Sequence, residues 1–598
     1  MADQTNVDAG HGDVKDTRAT AHAAIYPLGL ARDGPSPAAV YLNDLPTKRL
    51  VDFFRKKGLA TIKEEDRLEQ WYADWLAYQA EHHIYASVLS AKEFSSRGCE
   101  FNLLRYTRFL EVFAYFSPAH GYSAQVTFLG LFSILMGSND ALKREAVAAL
   151  EQGGLMAFGV SERAHGSDLL ANEFQIRTDG DGRWRASGSK YYIGNTNSAA
   201  IVSILAKKVD GAGTVRGKRV PVALIAVRPT QSPGFNNVRK IRTHGVRAAF
   251  VGEFEVKDHD LAPSDVFAEG RQAWDAVMGT VTLGKFFLGF GSIGMCEHAL
   301  EEGRNHLNGR ILYDKPVIEM PHIRIAMTEA YARLTAMKLY AYRALDYVQA
   351  AGADDRRYLL YCAVQKAKVS TEGVKVMSLL SECVGARGFE SDSYFEMALR
   401  DIQLVPGLES SAHINLALTA QFCRRYFGQF DDELGTPPSL VAGEVPAVEN
   451  AYLMEARSST ISTIGFPQFL KAYGPVMSIP NVRLLVSQAK AFRLVLRARR
   501  AKLADLTDTQ DAMALGRCLA TIAYAQLIAE NAARLGVAPQ TISVIFHLLV
   551  GDLTHSALAL ASFPRLDPLS RLLVRRLVSV PRTTRADWDF VAALMAGK

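Results

Sequence analysis

Apolar residues recur with helical spacing in the first part of the chain and with strand-like spacing in the next. Over residues 42–154 they lie three and four positions apart, as at Trp71, Trp75 and Tyr78, which predicts amphipathic helices whose aromatic stripe packs in the core. Over residues 155–265 the pattern changes to short apolar runs between glycine and charged residues, which is typical of strands. These runs predict a small β domain with strands near residues 200–206, 220–227 and 249–256.

Helical spacing returns after the strand-rich part and continues to the end. It predicts a helical domain over residues 266–432, a Pro- and Gly-rich linker at 433–449 and a helical extension over 450–598. The polar residues 1–41 predict a flexible tail. The fold class predicted from this order is α+β, with a helical domain, a small β-barrel-like domain, a helical bundle domain and a C-terminal helical extension.

Composition limits the classes of function. The chain has 598 residues, 48% of them hydrophobic, so it can bury more than one core. Its net charge of +6 is small for this length, and basic residues are not interleaved with aromatic ones, which argues against a nucleic-acid partner. The six cysteines are far apart and are expected to be reduced and mostly buried, and His82, His83 and His120 lack a second ligand cluster at metal spacing. No metal is predicted.

Membrane and export signals are weak in the sequence. The first residues are polar where a secretory signal needs an apolar stretch, and no apolar run reaches the ~18–20 residues that cross a bilayer. A cytoplasmic protein is therefore expected. Arginines alternate with aliphatic residues over 570–585, a pattern compatible with contact to a membrane surface, although a helix packed on its own domain explains it better.

The first candidate for chemistry is a carboxylate near the end of the second helical domain. Glu409 follows the pair Arg400-Asp401 by nine residues counted from the arginine. With Gly166-Ser167-Asp168 and the run Gly385 to Phe389, this order resembles the acyl-CoA dehydrogenases over roughly residues 42–430. In that family the glutamate at this distance removes a proton beside a thioester carbonyl. The resemblance therefore implies that Glu409 is the catalytic base.

Two further segments resemble the flavin-binding strands of the same family. Residues 158–168 are similar to its Thr-Glu-Pro-Gly-x-Gly-Ser-Asp signature, and residues 188–195 to its Gly-x-Lys-x-Trp-Ile-Thr-Asn segment. Serine replaces the signature threonine and keeps a hydroxyl, whereas glycine replaces the second threonine, so backbone groups are expected near flavin N5. The implied FAD contacts are Phe158, Val160, Ser161, Gly166, Ser167, Tyr192 and Gly194, with Ser167 also a substrate contact.

Later motifs resemble segments that meet the cofactor across a subunit interface. The run from Arg310 to Lys315 is similar to the family's Arg-x-x-Phe-Gly-Lys, whose arginine reaches the pyrophosphate of the neighbour's FAD. Lys285 falls where the family has an arginine beside the substrate. A homodimer or homotetramer is implied. The remaining implied FAD contacts are Arg310, Tyr313, Glu382, Gly385, Ala386, Ser411 and His413.

The resemblance implies a reaction and its partners. FAD would accept a hydride at N5 while Glu409 removes the α proton, so that an acyl-CoA thioester becomes the trans-2-enoyl thioester and electrons pass to an electron-transferring flavoprotein. An acyl-CoA oxidase, or a desaturating relative that acts on a thioester of acyl-carrier protein, would use the same residues, and both stay open. A non-catalytic flavin-fold binding protein is less favoured because Glu409 is present.

Overall fold

The computed structural model describes most of the chain. It covers residues 43–178, 183–209, 221–428, 430–431, 433–458, 460–499, 509–563 and 566–596. The tail predicted over residues 1–41 lies outside this part. All six cysteines are free thiols, and five of them are buried, as the sequence predicts.

Seven helices precede the sheet within residues 43–154. The first begins at a side-chain cap, because Asp44 accepts a hydrogen bond from the Thr47 N–H at 3.3 Å, and it ends in basic residues. The sixth helix is apolar on all sides and is buried along almost its whole length. The seven are α1 Leu45–Lys57, α2 Leu59–Leu68, α3 Ala73–Glu81, α4 Ile84–Leu89, α5 Leu103–Phe116, α6 Pro118–Leu135 and α7 Asp140–Glu151.

Eight strands form one mixed sheet. The hydrogen-bonded order is β6-β7-β3-β2-β4-β5-β8, and β1 pairs with β4 in parallel. A separate apolar cluster, which includes Phe174, Ile204 and Phe254, forms the core of this sheet. The strands are β1 Leu155–Gly159, β2 Gln175–Thr178, β3 Trp184–Gly194, β4 Ala199–Val209, β5 Val222–Val227, β6 Phe235–Lys240, β7 Val251–Leu261 and β8 Val266–Glu269.

A 40-residue helix follows the sheet and runs through the second helical part. A short hairpin closes its C-terminal end, and a π-helical turn at Gln365–Val369 separates two later helices. The elements are α8 Gly270–Gly309, β9 Ile311–Leu312, β10 Lys315–Pro316, α9 Pro321–Gln349, α10 Tyr358–Val364, α11 Ser370–Val384, α12 Tyr394–Leu404, α13 Ala412–Gln421 and α14 Cys423–Gly428. The predicted α+β architecture is confirmed.

Buried ion pairs join the C-terminal helices to this core. Arg343 on α9 contacts Glu530 at 2.9 Å, and Lys368 in the π turn contacts Asp552 at 2.7 Å. Removing one partner of such a pair is strongly destabilising, because the other charge would remain buried without a counter-charge. The extension therefore packs as part of one continuous core. Its helices are α15 Pro480–Ala498, α16 Thr509–Arg534, α17 Pro539–Ala561, α18 Pro568–Arg575 and α19 Arg585–Ala596.

In the part of the chain that the structure describes, three helices have the length and apolar composition of membrane spans, so the expectation that no segment reaches this size was wrong. They are Gly270–Gly309, Gln510–Arg534 and Pro539–Ala561, and 72%, 83% and 50% of their most apolar windows are buried within the fold. The expectation failed because small and polar residues interrupt the apolar runs, yet an 18-residue window of each helix keeps a mean hydropathy of 1.4 to 1.6.

The arginine-rich segment near the C-terminus packs on its own domain through one face only. Ser570 and Val574 are buried, whereas Leu569 and Leu572 are 58% and 57% exposed. The helix is therefore amphipathic with apolar residues also on its outer side. Contact of this segment with a membrane surface stays a prediction.

Candidate active site

Glu409 lies in the loop between α12 and α13, and the backbone there turns its side chain inward. Glu409 and Ser410 both have left-handed backbone conformations, with φ of 47° and 75°. These conformations are uncommon for residues other than glycine and need support from the surrounding structure. The Ala412 N–H donates to the Pro406 carbonyl at 2.8 Å and so closes the loop around the glutamate.

Two residues from other elements lie against the Glu409 carboxylate. The Gln125 amide on α6 donates to its two oxygens at 3.0 and 3.3 Å, and to the Gly284 carbonyl at 3.0 Å. A Cβ at position 284 would overlap Glu409 Oε2, so α8 needs a glycine where the carboxylate lies against it. The motif around Glu409 signals neither Gln125 nor Gly284, because each is more than 100 residues away in sequence.

Two buried lysines face the same carboxylate. Burial raises the pKa of Glu409 to about 7, although the Gln125 hydrogen bond and the charges of Lys366 and Lys285 act in the opposite direction. Burial also lowers the pKa of Lys285 to about 8 and that of Lys366 to about 7. The prediction placed Lys285 beside the substrate, and the structure places it near the predicted base. Lys366, which the sequence analysis missed, donates to the Val405 carbonyl.

A small apolar cavity adjoins this group of charges. Its volume is about 70 Å³, and Gln125 and Tyr122 form part of its wall. The rest is mainly aliphatic and small residues from α5, α6, α8 and α12, including Leu110, Ala114 and Leu288. An uncharged, narrow group can therefore lie next to Gln125, the residue that donates to the Glu409 carboxylate.

The Arg400-Asp401 pair has a positioning role. Arg400 contacts Asp66 on α2 at 2.6 Å and donates to the His244 carbonyl at 3.1 Å. Asp401 is buried and accepts from the Val246 N–H at 2.7 Å, and its burial raises its pKa to about 7. Together these bonds fix α12, and with it the loop that carries the predicted base, to the first helical part and to the sheet.

The first set of predicted cofactor residues lies along one edge of the sheet. The Ser161 hydroxyl donates to the Tyr191 carbonyl at 2.7 Å, which holds the segment after β1 against β3. Tyr192 has a φ of 63° and its side chain is 61% exposed. Phe158 is buried in β1 and Val160 is half-buried, whereas Gly166 and Ser167 are exposed beyond them. The edge therefore offers an open aromatic face beside several polar backbone and hydroxyl groups.

Gly194 ends β3 where α6 passes very close. A Cβ there would lie 2.7 Å from Tyr122 Cε1 and from Val126 Cγ2, and 3.1 Å from the Tyr122 hydroxyl. No larger residue fits without moving α6. The phenol of Tyr122 therefore lies where a side chain at position 194 would project. Burial and then the charge of Glu409 raise the pKa of Tyr122, which places this phenol near the predicted base as well.

Two more predicted contacts lie at the start of α13. Ser411 caps this helix, accepting from the Ile414 N–H at 3.4 Å, and His413 is exposed in its first turn. Both lie within four residues of the predicted base along the chain.

The second set of predicted cofactor residues lies elsewhere. Arg310 follows Gly284 by 26 residues along α8, which at about 1.5 Å per residue is roughly 39 Å from the Glu409 carboxylate. Burial lowers the pKa of His306 most, and the charges of Arg310 and Arg387 lower it further. Both arginines therefore lie near His306, so the hairpin and the Gly385 turn are neighbours. One subunit does not bring this set to Glu409. Besides Arg310 it comprises Tyr313, which is 91% exposed, Glu382, Gly385 with φ 68° and Ala386.

One group of side chains has metal-ligand spacing, which the sequence analysis did not predict. Potential ligand atoms of Glu162, His165 and Glu173 lie within 4.8 Å of one another. The Glu162 carboxylate already accepts from Lys190 Nζ at 2.9 Å and from the Glu173 and Phe174 N–H groups at 2.6 and 3.0 Å. We assign it a structural role, because these donors bind the loop after β1 to the sheet.

Comparison with known proteins identifies two matched regions. Residues 157–259 match the family model for the acyl-CoA dehydrogenase middle domain, and residues 272–421 match the model for the acyl-CoA dehydrogenase C-terminal domain. The first lies over the sheet and the second spans α8 to α13, so together they contain the predicted base and both sets of predicted cofactor residues.

Individual proteins show the same relationship at low identity. A cyclohex-1-ene-1-carbonyl-CoA dehydrogenase of Syntrophus aciditrophicus is 24% identical over 46% of this chain, and the match spans 64% of that protein. A short-chain specific acyl-CoA dehydrogenase of Megasphaera elsdenii is 20% identical over 62% of this chain and 94% of its own.

A solved structure extends the likeness to the C-terminal helices. It is an acyl-CoA dehydrogenase of Bacillus anthracis complexed with FAD, with a TM-score of 0.68 and 15% identity, over 91% of this chain and 95% of that chain. At this identity the likeness concerns the fold alone, and the fold it shares includes the C-terminal extension.

Proposed function

Because the chain belongs to the acyl-CoA dehydrogenase family, we propose that it is an FAD-dependent oxidoreductase that converts an acyl-CoA thioester to the trans-2-enoyl thioester. The observation that carries this proposal is the half-buried Glu409, whose carboxylate accepts from Gln125 and has a pKa raised to about 7, while Gln125 also lines an apolar cavity. A structural carboxylate would instead be expected in a close ion pair. A general base works best with a pKa near the working pH.

Glu409 takes the α proton of the bound thioester in this proposal. Its raised pKa makes the carboxylate basic enough to compete for a weakly acidic proton, and about half of it is ionised near pH 7. Gln125 donates to both oxygens, so it holds the carboxylate in one orientation before the proton moves. Lys285 and Lys366 supply positive charge that keeps part of the carboxylate ionised.

The residues along the sheet edge suit a flavin. Tyr192 offers an exposed aromatic face, and Ser161 and Ser167 bring hydroxyl groups to the same edge. FAD held by these residues would supply a hydride acceptor, its N5, for the β carbon of the substrate. We propose that the Tyr122 hydroxyl takes the place of the side-chain hydroxyl that Gly194 lacks, since it lies 3.1 Å from the position of a Cβ there.

A second copy of the chain completes the cofactor site in this proposal. Arg310 is roughly 39 Å along α8 from Glu409, far beyond the reach of its own side chain. Its guanidinium, the exposed Tyr313 and the open Gly385 turn form an adjacent surface with donors and an aromatic ring. A phosphate-binding arginine on this surface would serve the FAD of a partner subunit, which supports a homodimer or a homotetramer.

The cavity beside Gln125 favours a short acyl group. A volume of about 70 Å³ accommodates on the order of five water-sized groups, at ~10–15 Å³ each. We propose a substrate with roughly four to six acyl carbons. The electron acceptor is proposed to be an electron-transferring flavoprotein, with an oxidase and a carrier-protein thioester as the alternatives.

Anaerobic reduction of the bound flavin tests the proposal. Full-length protein is mixed with butyryl-CoA, and the loss of flavin absorbance is followed in wild type, Glu409→Gln and Glu433→Gln. Glu433 is an exposed carboxylate outside the site, so its variant is the matched control. Glu409→Gln keeps shape and hydrogen bonding, and its rate should fall at least about a hundredfold with FAD content unchanged. A wild-type rate in Glu409→Gln would place the base elsewhere.

Two further measurements address the open alternatives. Reduced enzyme with bound product should react slowly with oxygen and quickly with an electron-transferring flavoprotein, whereas stoichiometric peroxide at the turnover rate favours the oxidase. A colourless protein that does not bind added FAD would support the non-catalytic alternative and contradict the proposed reaction.

A further inference from the structure

A second cavity lies away from the proposed active site, where the end of α13 and α14 meets α15 of the C-terminal extension. Its volume is about 610 Å³, which is within the range of small-molecule sites. None of the residues assigned above to the base, the flavin or the acyl group forms its wall. It therefore needs an explanation of its own.

The wall of this cavity is strongly basic. Four arginines line it, namely Arg424, Arg425, Arg493 and Arg497, and none of the described residues that line it is acidic. Glutamine and hydroxyl side chains add further donors, among them Thr460 and Ser462. Guanidinium groups that share a cavity repel one another, so an anion between them is favoured.

Arg493 lies against an aromatic ring at this cavity. Its guanidinium lies 4.8 Å from the centre of the Phe430 ring, which fixes its plane by a cation–π contact. Its Nε is buried and has no hydrogen-bond partner within the described residues. A buried donor without an acceptor costs free energy, and a ligand oxygen would satisfy it. Burial and then the charge of Arg497 lower the pKa of Arg493, which indicates that the two guanidiniums are close neighbours.

We propose that this cavity binds a small molecule that carries two adjacent phosphoryl groups, at a site separate from that of the acyl thioester. Planar guanidiniums bind phosphate oxygens in pairs, and several arginines around one cavity fit a diphosphate better than a single carboxylate. A soluble diphosphate presents two phosphoryl groups in one molecule, and two anionic phospholipid headgroups that lie side by side present the same pair of phosphates. The measurements below distinguish these two sources.

Inorganic pyrophosphate is the first probe. Isothermal titration calorimetry is performed on the full-length, FAD-loaded protein in 150 mM KCl (about physiological ionic strength), so that the flavin site is already filled. We expect one saturable site per chain. Arg493→Gln and Arg497→Gln should each weaken binding at least about tenfold, since each removes a charge-assisted donor. Arg483→Gln is the matched control, because it removes one exposed arginine from the same helix outside the cavity.

Two outcomes of this titration would contradict the proposal. Equal pyrophosphate affinity in wild type, the cavity variants and Arg483→Gln would overturn it, unless the vesicle measurement below is positive. Arg497 is exposed, so Arg497→Gln tests the site even if Arg493→Gln fails to fold. Saturating butyryl-CoA should leave pyrophosphate binding intact, and competition between them would overturn a separate site.

Vesicles provide the second probe. Co-sedimentation with phosphatidylglycerol vesicles is measured for the same variants, with phosphatidylcholine vesicles as the uncharged comparison. Binding of phosphatidylglycerol that requires Arg493 and Arg497, without pyrophosphate binding, would identify a lipid headgroup as the source of the phosphate. If neither probe depends on these two arginines, the proposal is wrong.

Discussion

Gln125 should set the pH at which the proposed base works. Gln125→Met keeps the length of the side chain and removes the amide that donates to Glu409 at 3.0 and 3.3 Å. A hydrogen bond to a charged group contributes about 1.5–3 kcal/mol, and each pKa unit corresponds to about 1.36 kcal/mol. The pKa of Glu409, now about 7, should therefore rise by roughly one to two units.

The direction of the effect on rate follows from the protonation state. The base acts only when it is ionised, so flavin reduction should increase with pH and level off above the pKa of Glu409. In wild type the midpoint should lie near pH 7. In Gln125→Met the ionised fraction at pH 7 falls from about one half to between about one tenth and one hundredth, and the rate should fall about five- to fiftyfold.

The assay is stopped-flow flavin reduction by butyryl-CoA under anaerobic conditions from about pH 6 to pH 9.5. Gln125→Met should regain most of the wild-type rate at the alkaline end, whereas Glu409→Gln should stay slow at every pH. This recovery separates a shifted pKa from a damaged site. An unchanged midpoint in Gln125→Met, with folding and FAD content intact, would refute the assigned role of the amide.

Three other substitutions test contacts that the fold creates. Gly284→Ala should displace the carboxylate of Glu409 because the added methyl overlaps it, and flavin reduction should fall at least about tenfold with FAD content retained. Arg310→Ala should weaken FAD binding about 10- to 150-fold, because a charge-assisted pair worth about 1.5–3 kcal/mol is lost. The affinity is measured by flavin release on dilution, and an unchanged affinity would place Arg310 outside the cofactor site. Gly194→Thr should lower the free energy of unfolding by about 1–3 kcal/mol, because the threonine side chain would overlap Tyr122. An unaltered midpoint of denaturant unfolding would show that α6 moves at little cost.

The sequence alone determined the α+β architecture and its order of helical, strand-rich and helical parts. Helix and strand periodicities are local, so burial on one face leaves its pattern in consecutive residues. Glu409 was predicted from the family resemblance, and that was possible because it and the Arg400-Asp401 pair lie within one short segment. The pair's physical role as an anchor to Asp66 and Val246 was not visible, since both partners are distant in sequence.

Only the tertiary structure decided what surrounds that glutamate. Gln125, Gly284 and Lys366 come from α6, α8 and a π turn, and no local pattern relates them to Glu409. The raised pKa of Glu409 depends on how much water these elements exclude, which is a property of packing. The need for glycine at position 194 is likewise explained only by the fold, because Tyr122 on α6 leaves no space for a side chain there. Sequence periodicity specifies elements, whereas contacts between distant elements set the chemistry of the site.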